Sequence, residues 1–472
     1  MRLLSSLLVA VLSAAIALGQ SEGNGSTTSS GTSSSSAPPA AYGYIPLTNH
    51  TETDTSADVA NPNTPWLPVL INGEAVSLLG DIERSNQLSV GMTVASGYDD
   101  NTLTQSNRQI GNASFSFLPS VSWRESRTRS LFDLNYSPGF TVNQKLPELN
   151  SATHNAGINS QFRLTPNVTW RIHDTFVASN NGWTNSNPEM PTNALHEPNQ
   201  LVLTPLADTI SNLAGTDLVY QMGAGTILGG SGSYSLLNYS NLQGGPGVQL
   251  IDSRTAGGDL FYQHRLLPKH WIGLTYGFQR FTFNGGVEET DTHSALLFYT
   301  AMIRPHFVVS LFGGGTYTQT DGFVAIATSA ATPSGTRTQW SPSAGAIFGW
   351  ETPHTGITAT FSRRIDSGGG ILGTVQRTSG MATVQRQFSR NWTGTMSFVY
   401  DNNQPLESIV GQYRTLSGTA AVERRLGRQM SVTASYTRAH QTYGTAIPTQ
   451  LFPDHNRAML SVSYLFSRPL GR

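Results

Sequence analysis

The sequence predicts an all-β chain: a transmembrane antiparallel up-and-down β-barrel of about eighteen strands (16–18), with short periplasmic turns and long outer loops. Three observations carry that expectation. The N-terminus has the form of an export signal, apolar residues recur with a period of two from residue 87 onward, and tight turns alternate with long polar stretches.

Arg2 supplies a positive start, Leu3 to Leu18 an apolar stretch, and small residues offer cleavage after Ala17 or Gly19. A retained anchor is the competing reading, but the stretch is short of the ~20 residues a span requires. The chain has no cysteine, so acylation after cleavage, a disulfide scaffold and a cysteine metal site are all excluded. Residues 1–19 therefore read as a signal peptide, and 20–86 as a Ser/Thr/Pro-rich low-complexity periplasmic tether. Within the tether, Leu67 to Leu79 is apolar enough to form a strand. The barrel is expected over 87–466, leaving 467–472 as a tail.

The alternation is clear in Leu88, Val90, Met92 and Val94, in Phe115, Phe117, Val121 and Trp123, and in Ile272, Leu274, Tyr276 and Phe278. It recurs in Met396, Phe398 and Tyr400 and in Leu460, Val462, Tyr464 and Phe466. Small or polar residues fill the positions between, which is strand periodicity. Short turns fall at Thr165-Pro166-Asn167, Leu267-Pro268-Lys269-His270, Arg304-Pro305-His306, Thr352-Pro353-His354, Ser389-Arg390-Asn391 and Leu426-Gly427-Arg428. Between them lie the polar stretches 99–111, 142–152, 179–214, 240–255, 318–336, 366–374, 401–411 and 438–455. Strand centres are then expected near 92, 117, 135, 159, 173, 219, 233, 261, 277, 297, 312, 344, 361, 382, 396, 418, 433 and 461. The asymmetry of the connections suits a barrel in an outer membrane.

A secreted sandwich or propeller would also alternate, but would bury a more continuously apolar face. Here only 38% of residues are apolar and 12% charged, and the polar face is Ser, Thr, Gly, Gln, Asn and Arg, as a wet lumen requires. Trp123, Trp170, Trp271, Trp350, Trp392, Tyr98, Tyr136, Tyr299, Tyr400 and Tyr464 are assigned to interfacial girdles on the apolar face. A formal charge of −1 and the lack of a basic run argue against nucleic acid as a partner.

The export signal, the alternating strands and the last strand, Ala458 to Phe466, resemble an outer-membrane β-barrel of the porin-like superfamily. The resemblance implies an outer-membrane location in a diderm bacterium and contact with lipid and lipopolysaccharide. It also makes Tyr464 and Phe466 part of the signal read by the barrel-assembly machinery. In that superfamily the Phe is usually terminal, whereas Ser467 to Arg472 follow it here.

No motif points to an enzyme: Gly223-Ala224-Gly225 and Gly229-Gly230-Ser231-Gly232 are incomplete as nucleotide loops and read as a turn and small lumen residues. The histidines lack ligand spacing, and Glu288, Glu289 and Asp291 read as a solvated loop edge before a cation site, so no cofactor or metal is expected. Arginine outnumbers lysine by 26 to two. Strand parity puts Arg124, Arg163, Arg171 and Arg265 on the polar face, where they either lean the pore toward anions or pair with carboxylates such as Asp133 and Asp259. In porins the loop after the fifth strand folds into the lumen. The resemblance gives that part to Asn180 to Gly215, with Glu189, Glu197 and Asp208 facing the arginines.

The expected function is a porin-like channel for passive diffusion of small hydrophilic solutes. The alternative is a non-conducting structural or adhesive barrel that binds partners through its outer loops. Assembly as a homotrimer is left open beside the monomer.

Overall fold

The computed structural model describes residues 68–71, 74–77, 86–102, 109–179, 204, 207–223, 225–240, 250–283, 288–304, 306–322, 335–406, 412–443 and 454–470. The signal peptide lies outside them, as do Glu189 and Glu197. Within the tether region, β1 (Pro68–Ile71) and β2 (Glu74–Ser77) pair antiparallel.

Eighteen strands follow: β3 (Gln87–Asp99), β4 (Asn112–Ser126), β5 (Ser130–Asn143), β6 (Ser151–Thr165), β7 (Val168–Ser179), β8 (Asp208–Gln221), β9 (Thr226–Ser240), β10 (Ser253–Leu267) and β11 (His270–Phe283). The circuit continues with β12 (Glu288–Arg304), β13 (Phe307–Gly322), β14 (Arg337–Glu351), β15 (Thr355–Gly368), β16 (Leu372–Ser389), β17 (Trp392–Pro405), β18 (Tyr413–Arg425), β19 (Met430–Tyr443) and β20 (Asp454–Pro469). Each pairs antiparallel with its sequence neighbours, and β20 pairs with β3 to close the sheet. All eighteen centres expected from the sequence fall within separate strands. The last strand runs past Phe466 to Pro469.

The strands reach further toward the long-loop rim than the alternation suggests. β13 extends to Gly322, β17 to Pro405 and β19 to Tyr443, all inside stretches read as loops. Beyond the bilayer both faces of the wall are wet, so the apolar half of the pattern fades while backbone pairing continues.

Register sorts the two faces. Along β3, Ser89, Thr93 and Ala95 are buried, whereas Val90 and Met92 are 46% and 40% exposed. Carried round the circuit, the exposed series runs through Leu218, Leu260, Leu274, Leu297, Leu311, Phe361, Met396, Leu416 and Leu460. A closed sheet with an apolar outer belt spans a bilayer, because closure is what satisfies every backbone group away from water. Trp123, Trp170, Trp350, Trp392 and Tyr464 ring the short-turn rim, and Tyr98, Tyr276, Tyr400 and Trp340 ring the other. Trp271 is the exception to the expected girdle. It stands opposite Arg265, on odd parity with the lumen side of β11, and is only 3% exposed.

The inner face is laced by hydroxyl pairs across neighbouring strands: Thr93–Ser463 at 2.8 Å, Ser116–Thr141 at 2.9 Å, Thr316–Ser343 at 2.7 Å and Thr419–Thr437 at 3.0 Å. Such cross-strand pairs each add a few tenths of a kcal/mol and pin the register. One seam differs from the rest. β14 pairs with β13 along nearly its whole length, yet with β15 only from Ala344↔Arg363 to Glu351↔Gly356.

Candidate functional site

Arg124, Arg163, Arg171 and Arg265 stand near the short-turn rim with lumen parity. Arg124 is half-exposed, and its guanidinium donates to Asp133 at 2.8–2.9 Å, which neutralises it. Among the described residues, no carboxylate reaches Arg163, Arg171 or Arg265. Asp217, the cross-strand neighbour of Arg171, lies 3.7 Å from His173, and Asp259 accepts from the Ser231 hydroxyl at 3.2 Å. A guanidinium stays charged at any working pH, so these three side chains place positive charge on a hydroxyl-rich wall that also carries Asp217 and Asp259.

The expected acidic counterpart is not what meets the eye. Asp208 opens β8 opposite Ser240 and carries the parity of the outer face, so register turns it away from the lumen. The trio Glu288, Glu289 and Asp291 also divides: Glu288 faces inward, while Asp291 faces outward and receives Arg280 at 2.6 Å.

What crosses the lumen is the hairpin β15–β16. Its connection, 369–371, is three residues long, although 366–374 reads as a polar outer loop. Past Arg363, strand β15 leaves β14 and bends inward with β16. The inner face of β9 meets it through Tyr239, whose hydroxyl donates to the Gly369 carbonyl at 3.0 Å. The Tyr413 hydroxyl of β18 donates to the Gly368 carbonyl at 2.9 Å. Strands β9 and β18 are opposite each other in the strand order, so the tip bridges the two walls. From β12, the Glu288 carboxylate accepts from the Thr374 amide at 2.9 Å and its hydroxyl at 3.1 Å.

Glycine makes the tip possible. Gly369 and Gly370 have φ of 59° and 89°, in the left-handed region that side chains rarely adopt. A Cβ on Gly370 would also meet the Tyr239 ring at 2.5 Å. Around the tip, Ile371, Leu372 and Val375 pack on Tyr413, while Ile365 packs on Ile251, Phe281 and Phe283 of the inner wall. These apolar groups inside a hydrophilic lumen hold the hairpin by burial; each fully buried aliphatic contributes roughly 1.5–3 kcal/mol.

A buried ionic network fastens the base. Arg377, only 1% exposed, donates Nε to Asp401 Oδ1 at 2.7 Å and Nη1 to Asp366 Oδ2 at 2.9 Å. Arg364 reaches Asp366 at 3.2 Å, and Asn403 Nδ2 donates to the second oxygen of Asp401. The charges balance, so burial is tolerable while every partner is present. Tyr413→Phe strands the buried Gly368 carbonyl. It should lower the unfolding free energy by about 1–3 kcal/mol in urea titration of the folded barrel.

Tyr464 and Phe466 face outward near the short-turn rim, at 42% and 47% exposure. The hairpin left one local mark in the sequence: Ile371, Leu372 and Val375 are apolar residues beside a stretch otherwise suited to water.

No protein-family model matches the chain, and no curated protein matches it by sequence. Solved structures do. The chain is similar to the crystal structure of Pseudomonas aeruginosa OpdQ at 12% identity and a TM-score of 0.41, over 82% of this chain and 100% of that one. It is similar to Pseudomonas aeruginosa OccK2 (OpdF), solved in complex with glucuronate, at 11% identity and 0.40 over 80% and 98%. Acinetobacter baumannii OccAB4 is similar at 9% and 0.41, over 82% of this chain and 100% of its own.

Proposed function

We propose that the protein is an outer-membrane channel for passive diffusion of small hydrophilic solutes, narrowed in its outer half by the β15–β16 hairpin. The observation that carries this reading is the inner wall of the eighteen-strand barrel, rich in Ser, Thr, Asn, Gln and charged side chains, with buried aromatics such as Phe261 and Trp271 among them. Barrels of 16–18 strands enclose an aqueous lumen. Hydroxyls and amides on the wall stand in for lost hydration as a solute passes, and no bond need be made or broken. The partners this implies are outer-membrane lipid, lipopolysaccharide, the assembly machinery and the solutes themselves. Assembly as a homotrimer is compatible with the closed wall.

Purified protein in a planar bilayer should give discrete conductance steps, and under a salt gradient a reversal potential of anion-leaning sign. Substituting Arg163, Arg171 and Arg265 together by Gln should move that potential toward the cation side, while Arg124→Gln combined with Asp133→Asn, which keeps the local charge at zero, should move it little. Equal shifts from both variants would remove the arginines from the selectivity mechanism. The non-conducting reading has one observation in its favour, the anchoring of the hairpin on opposite walls. Silence from demonstrably folded protein would select it.

Phe466→Ala should lower the yield of folded barrel in outer membranes, measured as the heat-modifiable fraction on a gel. An unchanged fraction would move the assembly signal to another part of β20.

A further inference from the structure

Among the described residues, the ladder between β14 and β15 stops where the hairpin turns inward. Between Arg337 and Ser343, β14 keeps its pairing with β13 but has no ladder partner on the β15 side among the described residues. The last pair, Ala344↔Arg363, lies six residues above Trp350 of the short-turn girdle. At ~3.3 Å per residue and a tilt near 40°, that is about 15 Å up an apolar band about 25 Å tall. The seam therefore opens within the hydrocarbon and continues to the outer end of β14.

One side of the hairpin runs through that seam without a break. Phe361, 48% exposed, belongs to the lipid-facing belt. Arg363 follows on the same face, donating Nη2 to Gln376 Oε1 at 2.8 Å. Ile365, next on that face, is buried inside the barrel against Phe281, Phe283 and Ile251. A single strand face thus leads from bilayer to an apolar patch within the lumen, with one cation at the threshold. Arg363 Nε and Gln376 Nε2 are buried donors without acceptors. On the other lip, Trp340 is 72% exposed, the most exposed large apolar side chain among the described residues, and Pro342 has no N–H to leave unpaired.

We propose that the β14–β15 seam is a lateral passage between lumen and outer leaflet for an anionic amphiphile, with Arg363 binding the acid group and the Phe361–Ile365 face carrying the apolar body. A guanidinium facing lipid is costly unless it is paired or serves a solute, and two orphan donors on residues that hydrogen-bond each other suit the oxygens of a carboxylate, sulfonate or phosphate. The proposal rests on the membrane location given above but not on axial conduction.

The probe is pyrene-butanesulfonate, a permanent anion with an apolar body, offered outside proteoliposomes that hold a pyrene quencher. Wild type should quench it faster than protein-free vesicles. Arg363→Ala should cut the excess rate about tenfold, the worth of a charge-assisted hydrogen bond, and Arg363→Lys should restore part of it. Salt conductance should stay unchanged in both variants, and heat-modifiable migration reports their folding. Uptake no faster than in empty vesicles, or Arg363→Ala equal to wild type, would overturn the passage. An equal loss of pyrene-butanesulfonate entry and of salt conductance would overturn it too, since both would then use the axial lumen. Entry without any conductance would leave the passage standing and defeat the diffusion channel instead.

Discussion

Replacing residues 364–377 by Asn-Gly should raise single-channel conductance by roughly twofold or more, because an unobstructed barrel of this strand number holds an open aqueous lumen. Arg363 and Thr378 already face each other in register, so a two-residue type I′ turn between them continues an existing ladder. The excised segment holds the whole tip: Ile365, the glycines, Ile371, Leu372, and the arginines of the buried network. Tyr239, Glu288 and Tyr413 would lose their partners across the lumen but remain on a wall open to water. Conductance equal to wild type, from protein that still shifts on heating, would show that the narrowest point lies elsewhere.

Asp401→Ala is expected to be the most damaging single substitution in the barrel. It leaves Arg377, 1% exposed, without the carboxylate on its Nε and removes the Asp401 oxygen to which Asn403 Nδ2 donates. Removing one member of a buried ion pair costs about 3–5 kcal/mol, since the survivor stays desolvated and uncompensated. Most of that loss falls on the hairpin, because the network ties hairpin to wall while the β16–β17 ladder continues beside it. Open-channel current should become noisy, with excursions to a higher conductance, and the urea midpoint should fall. Converting Arg364, Asp366, Arg377 and Asp401 together to apolar residues of similar volume should cost far less. If the quadruple variant were as unstable as Asp401→Ala, the damage would come from packing and not from charge.

The strands and their connections were legible because each rests on local chemistry. Alternation such as Leu274, Tyr276 and Phe278 against Gly273, Thr275 and Gly277 needs no knowledge of distant residues. Parity also placed the four arginines, since a strand face persists wherever no bulge intervenes. The hairpin was not legible. Its position depends on Tyr239, Glu288 and Tyr413, which lie 130, 86 and 45 residues from the groups they bind. Gly368 to Gly370 after Asp366 and Ser367 is a loop to a local reading, and the distant anchors turn it inward. Trp271 failed for a different reason: tryptophan suits an interface by type, but its odd position on β11 places it inside. Glu189 and Glu197 fall outside the described residues.

Closure between β20 and β3 carries a consequence for how the molecule comes to exist. Ser89 and Ser467 share a 3.0 Å hydrogen bond across 378 residues of chain. Bringing such distant ends together costs about 5 kcal/mol in loop entropy if the intervening chain is slack. Until that seam forms, every intermediate is an open sheet with two raw edges, each able to pair with another chain. Topology of this kind folds slowly. The nascent polypeptide therefore has a long interval of vulnerability that ends only when the sixteen residues of β20 arrive. Truncation by a single strand would cost more than one-eighteenth of the wall: it would leave the barrel with no closed state at all.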